Sequence, residues 1–183
     1  HQCFLKTADI VMQRNRRFKQ IEAELHEKEK TLSQIIQGST IPTFVINRDH
    51  VVTHWNHALE VLTGFSAESM VGTRDHWKPF RKRERPIMAD VILDQLETGE
   101  INHYYGSKWR ASTLVEGGFE AEELFEHLGD GGRWLFFTAA PIKSSDGEII
   151  GAIETLWDNT ENRRTEAERR NYTRRIEESE RTL

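Results

Sequence analysis

Three histidines lie close together in "HVVTHWNH" (His50, His54 and His57), and imidazoles at short spacing are the raw material of metal centres and general bases. A metal site needs its ligands to converge, commonly with cysteine or carboxylate support. Here His50 and His54 share the parity of one strand while His57 opens the next helix, so turn, strand and helix scatter the rings. No metal is expected, and His54 reads as a surface or hydrogen-bonded strand residue. A second group is acidic: Glu116, Glu120, Glu122, Glu123, Glu126 and Asp130 fall within residues 111–132, which contain no Lys or Arg. No repeated spacing or adjacent base marks a pair of them as catalytic, and solvation accounts for their charge. The chain has no Gly-rich phosphate loop, no "HExxH", no "GxSxG" elbow and no "GGDEF" motif. No His follows His127, so no phosphoacceptor histidine lies near the C-terminal end. An enzyme is not expected.

The elements that must position these groups fit one domain with additions at its ends, since 183 residues can bury one sizeable core. The formal net charge of −5 comes from interspersed signs with no basic tract, which argues against nucleic acid as a partner. Cys3 is the single cysteine, so no intrachain disulfide or cysteine metal cluster can form, and a reducing, cytoplasmic setting is expected. No apolar stretch approaches the roughly 20 residues that span a bilayer. The chain begins "HQCF" without an initiator Met and is expected to be part of a longer protein, whose remainder can hold a membrane anchor.

Residues 1–37 predict one long helix. Phe18, Ile21, Leu25, Leu32 and Ile35 follow the three-four alternation of a coiled-coil seam, interrupted by Lys28. The run from Thr7 to Gly38 would extend roughly 45 Å as a helix. "PTFVINRDHVVTHWN" predicts a hairpin. Asn56 is placed to cap "HALEVLTG", and Ser66 to cap "AESMVG". Pro86 opens an expected helix, "PIMADVILDQLETG". "INHYYGSKW" reads as a strand. Residues 111–132 read as a solvated acidic insertion, with a short helix at "EAEELFEHL"; a regulatory or partner-binding flap is the alternative. "RWLFFTAAPI", the turn "SSDG" and "EIIGAIETLWD" make a final hairpin with Trp134 and Phe136 on one face and Leu135 and Phe137 on the other. Two apolar faces require two covers. The charged run from residue 161 to 183 predicts a helix with a sparse seam of Tyr172, Ile176 and Leu183.

In this order the pieces resemble a PAS domain, the small sensor module of bacterial signalling proteins. The likeness rests on "PTFVINRDHVVTHWNHALEVLTGFSAESMVG", the helix after Pro86, and "RWLFFTAAPIKSSDGEIIGAIETLWDNTE", spanning roughly residues 37–161. It implies an α+β fold, a five-stranded antiparallel sheet with short helices over one face, at residues 38–160, flanked by long N-terminal and C-terminal signalling helices. The closing "DxT" pattern matches Asp158 and Thr160, which the resemblance places at the signalling junction. Local chemistry agrees, since either residue can cap the following helix and Glu161 suits its positive end.

The resemblance also implies a pocket between the inner sheet face and the helix after Pro86. Its candidate lining is Met88, Ile92, Trp134 and Phe136, with Trp77, Tyr104 and Trp109 as aromatics that carry a polar atom. Such residues suit a small organic ligand; the competing reading is that they form a filled core. Covalent flavin photochemistry is excluded because the domain has no cysteine, and no cofactor is identified. A haem reading rests on His76 and His103 alone, since "PIMADVILDQL" has no axial His. The expected function is a non-catalytic sensory module, of the kind found in two-component systems. It would act as a homodimer, take a small-molecule ligand or upstream helix motion as input, and drive a downstream effector domain in the same chain. The alternative is a ligand-free interaction and dimerisation module.

Overall fold

Asn56 shows how local sequence sets the architecture. Its Oδ1 accepts from the amides of Thr43, at 2.9 Å, and Leu59, at 3.0 Å, while its Nδ2 donates to the carbonyl of Ile41 at 2.8 Å. One buried side chain therefore caps a helix and fixes the start of the first strand. The computed structural model describes residues 2–180, and side chains from residue 11 to residue 178. The thiol of Cys3 and the seam position Leu183 lie outside those described. The chain divides after Gly38 into two units.

The first unit is α1 (Gln2–Gly38). Phe18, Ile21, Leu25, Leu32 and Ile35 are all exposed on it, and Val11 continues the seven-residue spacing of Phe18, Leu25 and Leu32. No helix among the described residues is long and apolar enough to cross a membrane.

The second unit holds β1 (Thr43–Asn47), β2 (Val52–Trp55), α2 (His57–Thr63), α3 (Ala67–Met70), α4 (Met88–Leu93) and α5 (Thr98–Tyr105). β3 (Trp109–Ala111), β4 (Phe119–Phe125), β5 (Arg133–Lys143), β6 (Ile149–Asp158) and α6 (Thr160–Glu180) follow. The strands form one antiparallel sheet in the order β2-β1-β6-β5-β4-β3. The expected α+β fold is present, with six strands instead of five. The caps on α2 and α3 are Asn56 and Ser66, and Gly64 closes α2 in the left-handed conformation.

Three stretches depart from the sequence expectation. "INHYYGSKW" is not a strand: it lies in α5 and reaches a strand only at Trp109. Ile101 and Tyr105, four apart, are both buried, and the Glu100 carboxylate accepts from the Glu97 amide at 3.0 Å, so helical spacing and a cap prevail. "EAEELFEHL" forms no helix; it contributes most of β4, the additional strand. Its carboxylates are matched by arginines distant in sequence, with Arg110 on Glu120, Arg81 on Glu123 and Arg163 on Glu122. The middle of the acidic stretch is therefore a paired strand of the sheet and not part of a solvated insertion. The helix after Pro86 is six residues long, ending before Gln95, whose φ of 52° is left-handed.

Alternation along β5 and β6 gives the sheet two distinct faces. Leu135, Phe137, Ala139, Ala152, Glu154 and Leu156 are buried with Phe44, Ile46, Met88, Val91 and Ile92 on the side that packs under α4. Trp134, Phe136, Thr138, Thr155 and Trp157 lie on the other side, where the Thr138 and Thr155 hydroxyls hydrogen-bond at 2.8 Å. Gly151 sits where β6 lies against β1: a Cβ there would meet the carbonyl oxygen of Ile46 at 2.5 Å.

Candidate functional site

The inner face carries a carboxylic acid. Glu154 follows the inward parity of Ala152 and Leu156, is 3% exposed, and accepts from the Ala89 amide of α4 at 2.8 Å. Burial pushes its carboxyl up to about 8, opposed by that amide and assisted by the negative charge of Asp90. Burial therefore favours the neutral form of Glu154, which joins β6 to α4.

Beside it lies a polar wall built from α5, β4 and the segment before α4. The Arg81 guanidinium reaches Glu123 at 2.5 Å and lies over the rings of Tyr105 and Phe125; Arg85 lies over Tyr104 and Tyr105 and donates to the Tyr104 carbonyl at 2.7 Å. Burial, reinforced by the charge of Arg81, lowers the Arg85 pKa from its usual value. Burial raises that of Tyr105. Among the described residues, the Tyr105 hydroxyl and Arg81 Nε have no hydrogen-bond partner.

A second cluster shares the first turn of α4. Asp90 accepts from the Ile87 amide and meets both His76 and His50, while His50 also meets Asp94. Burial raises the Asp90 pKa, but the His76 hydrogen bond, the Ile87 amide and His50 outweigh it and hold the carboxyl below its usual range. These residues border a cleft of about 310 Å³ with Arg74, Trp77, Glu84 and Arg85. His54 contacts the Thr53 hydroxyl and His57 contacts Glu60, so the "HVVTHWNH" imidazoles are dispersed. Among the described residues, no group of three or more His, Cys, Asp and Glu is arranged to hold a metal ion. His76 is buried against Asp90, and His103 packs edge-on to Tyr104 on α5.

The junction into α6 is a compact hydrogen-bonded knot. Thr160 Oγ1 accepts from the Trp134 amide at 3.0 Å and donates to Asp158 Oδ1 at 2.5 Å, which also accepts from the Thr160 amide at 3.0 Å. Arg133 donates to Asp158 Oδ2 at 2.7 Å, and the Asn159 amide donates to the Trp134 carbonyl at 2.8 Å. In the first turn of α6, Arg163 pairs with Glu122 and covers the Trp134 ring. Burial raises the Asp158 pKa, but Thr160 and Arg133 reverse this, and the carboxyl lies below its usual range.

The seven candidate pocket residues separate. Met88 and Ile92 enter the core under α4. Trp77 borders the His50 cleft. Tyr104 and Trp109 pack at the margin of the core, where the Trp109 indole donates to Asn102 Oδ1 at 2.8 Å. Trp134 and Phe136 occupy the opposite sheet face, Phe136 bordering a cleft of about 350 Å³ with Trp109 and Glu122. Strand parity puts Leu135 and Phe137 beneath α4 in their place. Glu154, Tyr105, Arg81 and the His50–Asp90–His76 cluster are absent from the sequence reading. Only Glu154 left a signal, as a carboxylate on the inward parity of an apolar strand.

The family model for the PAS fold matches residues 30–105. The solved structure of an RNA-binding light-oxygen-voltage receptor is similar at a TM-score of 0.50 and 16% identity, over 82% of this chain and 38% of that one. The PAS domain of a protein from Colwellia psychrerythraea gives 0.46 and 18% identity over 72% of this chain and 97% of its own. The PAS domain of Bordetella pertussis BvgS gives 0.46 and 16% identity over 80% and 98%. No curated protein matches this chain. The matched segment runs from the end of α1 to α5, so residues 30–105 match the PAS fold, and the six-stranded antiparallel sheet is built around them.

Proposed function

We propose that this chain is a non-catalytic sensory module that transmits a change at the inner sheet face to α6, and through α6 to an effector. The observation that carries this reading is continuity along β6. One strand holds Glu154 against α4 and, four residues later, Asp158 in the knot that fixes the first turn of α6. A shift of α4 acts on β6 through that carboxyl. The knot leaves α6 little freedom to ignore it. Only an input that stabilises one arrangement over the other can operate such a device. The polar atoms of Tyr105 and Arg81 suit a small ligand with both donor and acceptor groups. The exposed seam of α1 suits pairing with a second copy, as a homodimer.

The test is Asp158→Ala in the longer protein, with signalling output and thermal melts measured together. Output lost from a domain that melts within a few degrees of the wild type supports coupling. Normal output from a destabilised domain makes Asp158 structural and rejects it.

A second reading, an interaction and dimerisation module without ligand, is favoured by the full burial of Met88, Val91 and Ile92 under α4, which leaves those positions occupied by protein. Native mass spectrometry of the purified protein separates the two, because a retained small molecule contradicts the filled core. A small-molecule thermal-shift screen extends the comparison.

A further inference from the structure

Where the β1–β2 turn crosses α4, both ring nitrogens of one histidine face carboxylates. His50 Nδ1 lies 2.7 Å from Asp90 Oδ1, and His50 Nε2 lies 3.0 Å from Asp94 Oδ1. Asp90 is already bound elsewhere: His76 Nε2 stands 2.9 Å from Oδ1 and 3.0 Å from Oδ2, and the Ile87 amide donates to Oδ2 at 2.9 Å. Ionised carboxylates only accept hydrogen bonds, so each nitrogen facing them must carry a proton. His76 needs one proton for this, on Nε2, and its Nδ1 is buried without a partner. His50 hydrogen-bonds Asp90 through Nδ1 and lies within ion-pairing distance of Asp94 through Nε2, so it attracts both aspartates at once only as the imidazolium ion. A neutral ring would set a bare lone pair against one of them.

Two further observations single out His50. Its φ is 60°, in the left-handed region that few side chains adopt, so the turn holds the ring on an uncommon backbone conformation. It is also partly exposed to the cleft, whereas His76 is buried, so protons from solvent reach it. The charges bordering the cleft are Arg74 and Arg85 against Glu84, Asp90 and Asp94, and a cationic His50 brings the two signs into balance.

We infer that His50 is a proton-operated latch, which as imidazolium fastens the β1–β2 turn to α4 through Asp90 and Asp94 and on losing a proton releases one of them. Acid closes the latch and mild alkali opens it.

The test is NMR on the intact chain from pH 5 to 9. Ring 15N–1H spectra report the protons on His50 and His76, and amide exchange gives protection factors for residues 48–52 and 88–94. At pH 5.5 both His50 nitrogens are expected to be protonated. Their deprotonation should accompany an at least fivefold fall in protection of the turn, with His76 keeping its Nε2 proton throughout. Asp94→Asn and His50→Asn, both at partly exposed positions, should keep the fold and make turn protection independent of pH. A neutral His50 at pH 5.5, or equal pH dependence in wild type and Asp94→Asn, overturns the proposal. So does loss of the effect in a Glu154→Gln background, which would assign it to the core carboxyl. A stoichiometric shift of both rings on adding Zn²⁺ would make the cluster a metal site and overturn it also.

Discussion

The side chain of Glu154 accepts the backbone amide of Ala89 across 2.8 Å, buried in the core within reach of the charges of Asp90 and Arg81. In the unfolded chain this carboxyl ionises near 4.5; in the fold, burial delays ionisation to about 8. Between those values the native state holds a proton that the unfolded state has released, so stability falls as pH rises through the window. Below it, both states are protonated and the penalty vanishes. Glu154→Gln preserves the acceptor for Ala89 and removes the titration. The variant should be more stable than the wild type at pH 8 by on the order of 3–4 kcal/mol. Urea unfolding at pH 5 and pH 8 checks this: the wild type should lose midpoint between the two while the variant changes far less.

At the α6 junction, Thr160→Val keeps the shape of the side chain but removes the acceptor for the Trp134 amide and the donor to Asp158. The loss should be about 1–2 kcal/mol, with amide exchange increasing in the first turns of α6 and at Trp134 while β1 and β6 stay protected. Asp158 contributes in the opposite pH direction to Glu154. Its carboxyl lies below the usual range, so its stabilisation is present above about pH 4 and is lost as pH falls through the folded value.

Arg81→Met should destabilise the domain by about 3 kcal/mol, because it leaves the nearly buried Glu123 with only the long contact to Lys108, at 3.9 Å. The double variant Arg81→Met/Glu123→Leu should recover most of that loss. A double-mutant cycle by urea unfolding measures the recovery. No recovery would place the effect of Arg81 in its contacts with Tyr105 and Phe125.

Gly151→Ala forces a Cβ against the Ile46 carbonyl oxygen, a backbone atom that cannot swing aside. Overpacking of this kind should cost about 2–3 kcal/mol and lower the melting temperature by several degrees. The control Gly99→Ala, where a Cβ meets nothing within 4 Å, should leave the melting temperature nearly unchanged.

On α1, Leu25 is exposed at the centre of the heptad seam. Leu25→Asp introduces charge into any paired seam and should raise the dimer dissociation constant at least tenfold in analytical ultracentrifugation. An unchanged constant would remove that heptad register.

The first and last hairpins were legible because their alternation is uninterrupted, and α2 and α3 because Asn56, Ser66 and Gly64 mark their ends. Along β4 the sequence misled for one reason. Charge reads as solvation when its counter-charge is remote: Glu120, Glu122 and Glu123 look exposed until Arg110, Arg163 and Arg81 are brought to them. The α5 stretch failed differently, since alternation near Tyr104 and Tyr105 resembles a strand, while Ile101 and Tyr105 supply the helical spacing. The site suffered most from parity, because a slip of one position exchanges Trp134 and Phe136 for Leu135 and Phe137. The histidine cluster joins residues forty positions apart, His50 and Asp90, and no local pattern relates them.

The remote pairing of β4 orders events during synthesis. Arg81 and Arg110 emerge from the ribosome ahead of the strand, but the partner of Glu122 follows it by 41 residues. Until Arg163 has been made, the strand keeps an uncompensated negative charge, which discourages premature association of its backbone with another nascent chain. The edge of the growing sheet is thus guarded by the same carboxylate that later fastens α6.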